Sequence, residues 1–346
     1  MVLVIGALAL LLAAPLFGQI GPPAPSPARP CLDCCPNPPC DEPPPPSPSV
    51  RGVFYYPWWP EKWFDGGHGP HYLPDYDGDG SGEYYSCDSS AVVGRQIEAM
   101  QYGWIDVGIS SWWASCRRHQ SSCTSETNRL ESELYQAKQR GFHWAIYYEP
   151  EQYLNPVVSD LVTDMEHILN DYALDPTYSA AYFKIWNRPV FFVYDPSGNC
   201  DTVNRWTQAV DEVEYDTGTR PYVVLYAFSG YTSCAGWNAF RWHRYGSGDS
   251  GSGLSVAGDS VNVQPGFWRA TQGTPTQPRN LSTWDQHVSY MANSTLAFHL
   301  IVSYNEWRET TSIEPALELE AGYPGWESAS GFGQYLDSLH NHPDLH

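Results

Sequence analysis

Leu296-Ala297-Phe298-His299-Leu300-Ile301-Val302-Ser303-Tyr304 reads as a buried strand, and Asn305-Glu306-Trp307-Arg308-Glu309 follows it without a break. Two carboxylates therefore emerge where the strand ends, flanked by an indole and a guanidinium. On a continuing strand, side chains at i and i+3 point to opposite faces. For Glu306 and Glu309 to reach one site, the chain must turn just after Glu306. A strand end that turns to present paired carboxylates is where a barrel enzyme keeps its acid and base.

Working outward, strands are predicted at Val53–Trp58, Ile105–Trp113, Phe142–Tyr148, Pro189–Tyr194, Tyr222–Phe228, Val261–Phe267 and Ala297–Tyr304, with a weaker one at Trp237–His243. Amphipathic stretches lie between them at Ala91–Gln101, Glu126–Gln139, Val157–Tyr172 and Val203–Val213. Eight strands, each run on into a helix or long loop, predict a single-domain α/β chain with a (β/α)8 TIM barrel over residues 51–346. The predicted strand ends collect polar and aromatic residues: Tyr56-Pro57-Trp58-Trp59, Ser111-Trp112-Trp113, Tyr148-Glu149-Pro150, Tyr194-Asp195 and Asn305-Glu306. That enrichment places the active site at the C-terminal face of the strands.

With 346 residues, 42% apolar and 15% aromatic, the chain can bury one large core. Its 15 Trp and 24 Tyr suit either that core or a carbohydrate cleft, because these amphipathic rings tolerate a half-wet groove. A net charge of −21 repels phosphate backbones and anionic lipid, which excludes nucleic acid and membrane surfaces as natural partners. Residues 1–20 begin with an apolar run, Val2 to Pro15, of signal-peptide length. Residues 21–50 are a Pro/Cys-rich linker expected to be disordered. Nine cysteines point to an oxidising compartment, and the sequons at Asn280 and Asn293 agree with a secreted glycoprotein.

Cys31, Cys34, Cys35 and Cys40 lack a His or second CxxC partner for zinc, so local or intermolecular disulfides are expected there, including a disulfide-linked oligomer through the arm. Cys116–Cys123 and Cys200–Cys234 are the preferred internal pairs, which leaves Cys87 without a partner.

Tyr55-Tyr56-Pro57-Trp58, Ile105-Asp106-Val107 with Ser111-Trp112-Trp113, Tyr148-Glu149-Pro150, Phe192-Val193-Tyr194-Asp195, and Ser303-Tyr304-Asn305-Glu306-Trp307-Arg308-Glu309 with Ile313-Glu314-Pro315-Ala316 resemble, in order, glycoside hydrolase family 99, the endo-α-mannosidases and endo-α-mannanases. The resemblance implies a retaining, endo-acting hydrolase of α-mannosidic or related α-linked glycans, with no organic cofactor. It implies that Glu306 is the base on a sugar 2-hydroxyl, giving a 1,2-anhydro intermediate, and that Glu309 is the general acid and then base. Glu149 is implied to contact sugar hydroxyls, with Tyr56 and Trp112 or Trp113 lining the site; Trp58, Tyr194, Asn305 and Trp307 complete the expected substrate-binding set. Arg308 stands where the family has His, Thr310 where it has Gly and Ser312 where it has Gln, and the segment Pro60 to Ser86 lacks the family pattern and carries an insert of its own.

A glycosidase needs one carboxyl protonated near neutral pH and one ionised. Burial beside Trp307 would raise a carboxyl pKa, and a guanidinium such as Arg308 would lower one. Alternation allows only one of Trp112 and Trp113 to face the cleft. His243 and His299 have no metal-ligand spacing and read as structural. Asp75, Asp77, Asp79 and Glu83 reproduce the start of a calcium loop with Gly80 at the sixth position, or else are a run of ordinary turn formers. A non-catalytic extracellular structural or glycan-binding protein on the same barrel is the competing reading.

Overall fold

The computed structural model describes residues 44–113, 124–150, 156–246 and 252–346. Twelve strands are described in them: β1 Val50–Tyr55, β2 Tyr72–Pro74, β3 Val107–Trp113, β4 His143–Glu149, β5 Lys184–Ile185, β6 Arg188–Val193, β7 Tyr222–Tyr226, β8 Arg241–His243, β9 Leu254–Ala257, β10 Ser260–Val263, β11 Phe298–Ile301 and β12 Ala316–Glu318. The main sheet runs β8-β7-β6-β4-β3-β1-β11-β10-β9; its barrel strands from β8 to β10 are mutually parallel, and β9 adds to β10 antiparallel. β1, β3, β4, β6, β7, β8, β10 and β11 are the eight strands expected from the sequence.

The barrel closes between β8 and β10 without a regular ladder. Asp259, at the turn of the antiparallel β9–β10 hairpin, accepts from the Trp242 backbone N–H through its carboxylate (2.8 Å), and its own N–H donates to Trp242 O (2.8 Å). Gly258 makes this closure possible: its φ is +59°, and a Cβ there would lie 2.4 Å from Trp242 Cβ.

Period-two alternation sorts the core into two layers. Phe54, Tyr56, Val107, Ile109, Ala145, Tyr147, Val190, Phe192, Val224, Phe298 and Leu300 fill the barrel, while Val53, Tyr55, Trp112, Ile146, Tyr148, Phe191 and Val193 face outward under the helices. The interior is aromatic: Phe54 lies 4.6 Å from Tyr147 and 5.0 Å from Tyr245, and Phe192 lies 5.4 Å from Phe298. His243 sits among these rings with Nε2 2.9 Å from Val193 O, and burial pulls its pKa down to about 4. It is a neutral core residue. Burial also lowers the pKa of His299, whose Nε2 lies 3.2 Å from Ser294 O.

Helices Ser90–Tyr102, Thr124–Arg140, Val158–Ile168 and Cys200–Thr217 occupy the four predicted amphipathic stretches. Two more were not expected, Leu281–Ala292 and Gln334–His340. The first carries its own signal, Trp284, Val288 and Met291 buried at helical spacing. Asn280 is its N-cap, accepting from Thr283 N (2.9 Å), and Asn293 is its C-cap, so the two sequon asparagines flank one helix, both exposed. Trp237–His243 is a strand only from Arg241, because Trp237–Ala239 forms a 3-10 turn.

Ahead of β1, Tyr222 Oη donates to Pro44 O (2.8 Å) and Trp186 Nε1 to Pro45 O (3.3 Å). The chain is therefore tied to the barrel from Pro44, six residues before β1. The expected signal peptide, most of the arm with its four cysteines, and the expected pair Cys116–Cys123 lie outside the described residues. Cys200 and Cys234 form a disulfide, and Cys87 is a free, buried thiol. Closing a loop over a sequence separation of 34 limits the unfolded chain, so replacing both cysteines by Ser is expected to lower the unfolding free energy by about 3–4 kcal/mol, measured by chemical denaturation.

Candidate active site

After β11 the chain does turn. Glu306 N donates to Ser303 Oγ (2.8 Å), Ser303 Oγ lies 2.8 Å from Thr311 Oγ1, and Ser303 N donates to Thr311 O (2.9 Å), so residues 304–310 form a loop whose return limb lies against the strand end. Thr310 adopts φ +54°, a region that favours glycine and is unusual for a β-branched residue. Its hydroxyl donates to Trp268 O (2.8 Å), an anchor glycine lacks. The loop is held from behind by Trp268 N to Glu309 O (2.8 Å), Ala270 N to Arg308 O (2.7 Å) and Arg279 Nη2 to Thr310 O (3.0 Å) and Ser312 O. Arg279 is itself stacked 3.5 Å over Trp326.

This turn forms one wall of a cleft of about 240 Å³, lined by Tyr56, Trp58, Tyr147, Glu149, Tyr194, Tyr245, Glu306, Arg308 and Glu309. The Glu306 carboxylate is buried, and its Oε1 accepts from the backbone N–H of Arg308 (2.8 Å) and of Glu309 (3.3 Å). Burial pushes its pKa well up, the Glu309 and Glu149 charges add to the rise, and the two N–H donors oppose it. Glu149 ends β4 and is also buried. Burial and these carboxylates hold the phenols of Tyr56, Tyr147 and Tyr245 well above their ordinary value, so they stay neutral hydrogen-bonding groups. Tyr56 stacks on Trp58 at 4.6 Å. Such a cleft can move protons on hydroxyl groups and seat a ring against an aromatic wall.

Six of the residues expected at the site line this cleft: Tyr56, Trp58, Glu149, Tyr194, Glu306 and Glu309. Four do not. Trp112 faces the helical layer, 5.6 Å from Tyr148. Trp113 lies on the inner face but behind Trp58, edge-on at 5.4 Å. Asn305 is fully buried and braces β1, accepting from Tyr56 N (2.7 Å) and donating to Tyr56 O (2.9 Å). Trp307 is fully buried under the turn, donating through Nε1 to Glu314 Oε2 (3.1 Å). Glu314 is the hub there: it also accepts from Tyr85 Oη (2.6 Å) and Gln96 Nε2 (2.7 Å), and burial pushes its pKa up to about 8.

Tyr147 and Tyr245 line the cleft without having been expected. Tyr147 was within reach of alternation, two residues before Glu149 on the same face. Tyr245 follows the shortest barrel strand, where the pattern is weakest.

Asp75, Asp77 and Asp79 converge, each offering a carboxylate oxygen within 4.8 Å of the others. Glu83 does not join them. Asp75 is buried and accepts from Gly80 N (3.2 Å), while Asp79 accepts from Ser81 N (2.7 Å). Three hard oxygen donors suit calcium and supply part of its six to eight ligands.

Fold and site together define an eight-stranded parallel barrel with an acidic, tyrosine-lined cleft at the C-terminal face of its strands. No protein-family model matches the chain, and no curated protein matches it in sequence. Among solved structures the fold resembles the GH99 endo-alpha-mannosidase from Bacteroides thetaiotaomicron. The TM-scores are 0.63 for that structure and 0.62 for its complex with bis-tris-propane, each at 16% identity, over 84% of this chain and 95% and 94% of the other. A glycoside hydrolase-like protein gives a TM-score of 0.55 at 12% identity, over 84% of this chain and 92% of its own. The likeness is one of architecture.

Proposed function

We propose that this chain is a secreted, retaining, endo-acting glycoside hydrolase of α-mannosidic or related α-linked glycans. The observation that carries the reading is the Glu306 carboxylate, buried beside Glu309 and Glu149 in a tyrosine-lined cleft with two backbone N–H groups aimed at one of its oxygens. Those donors orient Glu306 as an acceptor, and its raised proton affinity suits removal of a proton from a weakly acidic hydroxyl.

In the first step Glu306 takes the proton of the sugar 2-hydroxyl, O2 bonds to C1, and the C1–oxygen bond to the leaving sugar breaks as Glu309 protonates that oxygen. In the second, Glu309 takes a proton from water, whose oxygen bonds to C1. The C1–O2 bond of the 1,2-anhydro sugar then opens, and Glu306 returns its proton to O2. Two inversions at C1 give net retention. Glu309 is more exposed than Glu306, as suits a group that exchanges protons with leaving group and water in turn. The Cys200–Cys234 disulfide and the exposed sequons support export. Incubation with a panel of α-linked polysaccharides, reading released oligosaccharides, tests the reading. Release from none of them would favour a non-catalytic glycan-binding or structural protein.

The three aspartates are assigned here a structural calcium ion that orders the loop 75–83. Calcium at a hundredfold excess over its Kd is then expected to add about 2.7 kcal/mol, a rise in Tm of about 4 °C over a chelated sample. Asp79→Asn should abolish the shift; equal melting curves with and without calcium remove the ion from the account.

A further inference from the structure

The segment between β1 and the helix Ser90–Tyr102 is pinned to the cleft, and it leaves two aromatic rings in water. Trp59 and Trp63 stack at 4.0 Å inside it, both buried. On top of them Phe64 is 59% exposed and Tyr84 is 37% exposed, their rings 5.1 Å apart and edge to face, with Tyr84 also 5.1 Å from Trp63. Covering apolar ring surface is favourable, so the exposed pair leaves stabilisation for a ligand that covers it.

Three contacts place the pair at the cleft. Arg308, whose side chain lines the cleft, donates through Nη1 to Asp65 O (2.8 Å), Lys62 O (3.3 Å) and His68 O (3.4 Å), bracketing Phe64. The Lys62 ammonium lies 5.7 Å over the Trp113 ring, which supports Trp58 in the cleft wall. On the far side Arg129 holds the segment's two ends, donating to Pro57 O (3.0 Å), Glu61 Oε1 (2.6 Å) and Asp88 Oδ1 (2.9 Å). The Arg308 guanidinium thus fastens the segment after β1 to the cleft wall.

We propose that Phe64 and Tyr84 form an outer sugar subsite at the rim of the cleft, held there by Arg308, which takes the apolar face of a pyranose ring in a chain extending beyond the bonds being broken. The proposal rests on the hydrolase reading and adds to it a preference for long chains.

The test compares kcat/KM for a polysaccharide or long oligosaccharide with that for the shortest chain cleaved, and titrates both into the Glu309→Gln protein by calorimetry. In Phe64→Ala/Tyr84→Ala the ratio of long-chain to short-chain kcat/KM is expected to fall about tenfold, carried by KM, and long-chain affinity to fall by the same factor. Arg308→Met, which frees the loop, is expected to lower the same ratio although Phe64 and Tyr84 remain. Hydrolysis with an unchanged ratio in the double variant overturns the subsite and leaves the hydrolase reading standing. A native protein that neither cleaves nor binds any chain overturns both.

Discussion

Glu309→Gln is expected to lower kcat on a polysaccharide by about a thousandfold, within the range of a lost general acid. Its loss should shrink on an activated aryl glycoside, because a good leaving group departs without protonation. Glu306→Gln should show comparable loss on both substrates, since attack by O2 needs its proton removed whatever leaves. Equal losses for Glu309→Gln on the two substrates would sink the assignment of acid to Glu309. The pH profile gives an independent reading. Glu306 must be ionised to act as base, and burial with the neighbouring Glu309 and Glu149 charges raises its pKa. Activity should therefore fall as pH drops through a value above the ordinary carboxylate range. Were Glu306 the acid, rising pH through that value would extinguish activity instead.

The second large effect concerns stability. Glu133, fully buried on the helix Thr124–Arg140, is pushed by burial up to about 8, as is Glu314. In the unfolded chain each loses its proton near the ordinary glutamate value, about 4.3. Between there and about 8 the folded state holds protons that the unfolded state has released, so stability falls as pH rises across that window. Glu133→Gln, which keeps the shape and cannot ionise, is expected to raise stability at pH 8 by a few kcal/mol, or about 5 °C in Tm. At pH 4 the difference should be small, because Glu133 is then protonated in both states. A Tm difference that is the same at pH 4 and pH 8 would show that packing, and not titration, sets the cost of this residue. Glu314 should respond differently, because three donors converge on it; its loss would also release Trp307 and the base of the turn after β11.

Much of this architecture is legible in the sequence. Every barrel strand except β8 carries either a continuous apolar run or an alternation. The turn after Glu306 followed from parity alone, as two side chains an odd number of residues apart cannot share a face of a strand. The same parity limited Trp112 and Trp113 to one inward side chain, yet not which one. That depends on the register of β3 against β1 and β4, where Gly52 pairs with Val107 and Trp113 with Glu149. Asn305 and Trp307 belong to the expected substrate-binding set. Burial turns them into supports, the amide bridging to β1 and the indole reaching Glu314. Tyr245 sits after a three-residue strand tied to the β9–β10 hairpin through Asp259, so no local pattern announces it.

What the sequence determined by itself is what local chemistry controls: the strands and most helices, the order of the strand-end motifs, the necessity of a turn between two carboxylates, and the cysteine pair Cys200–Cys234 as a preferred match. What only the tertiary structure decided is which groups lose their water and which stay wet. Desolvation depends on every neighbour packed around a side chain, and those neighbours come from distant strands. It separates buried Glu306 from more exposed Glu309, makes Trp307 a pillar, and leaves Phe64 and Tyr84 in solvent beside the cleft that Arg308 ties them to.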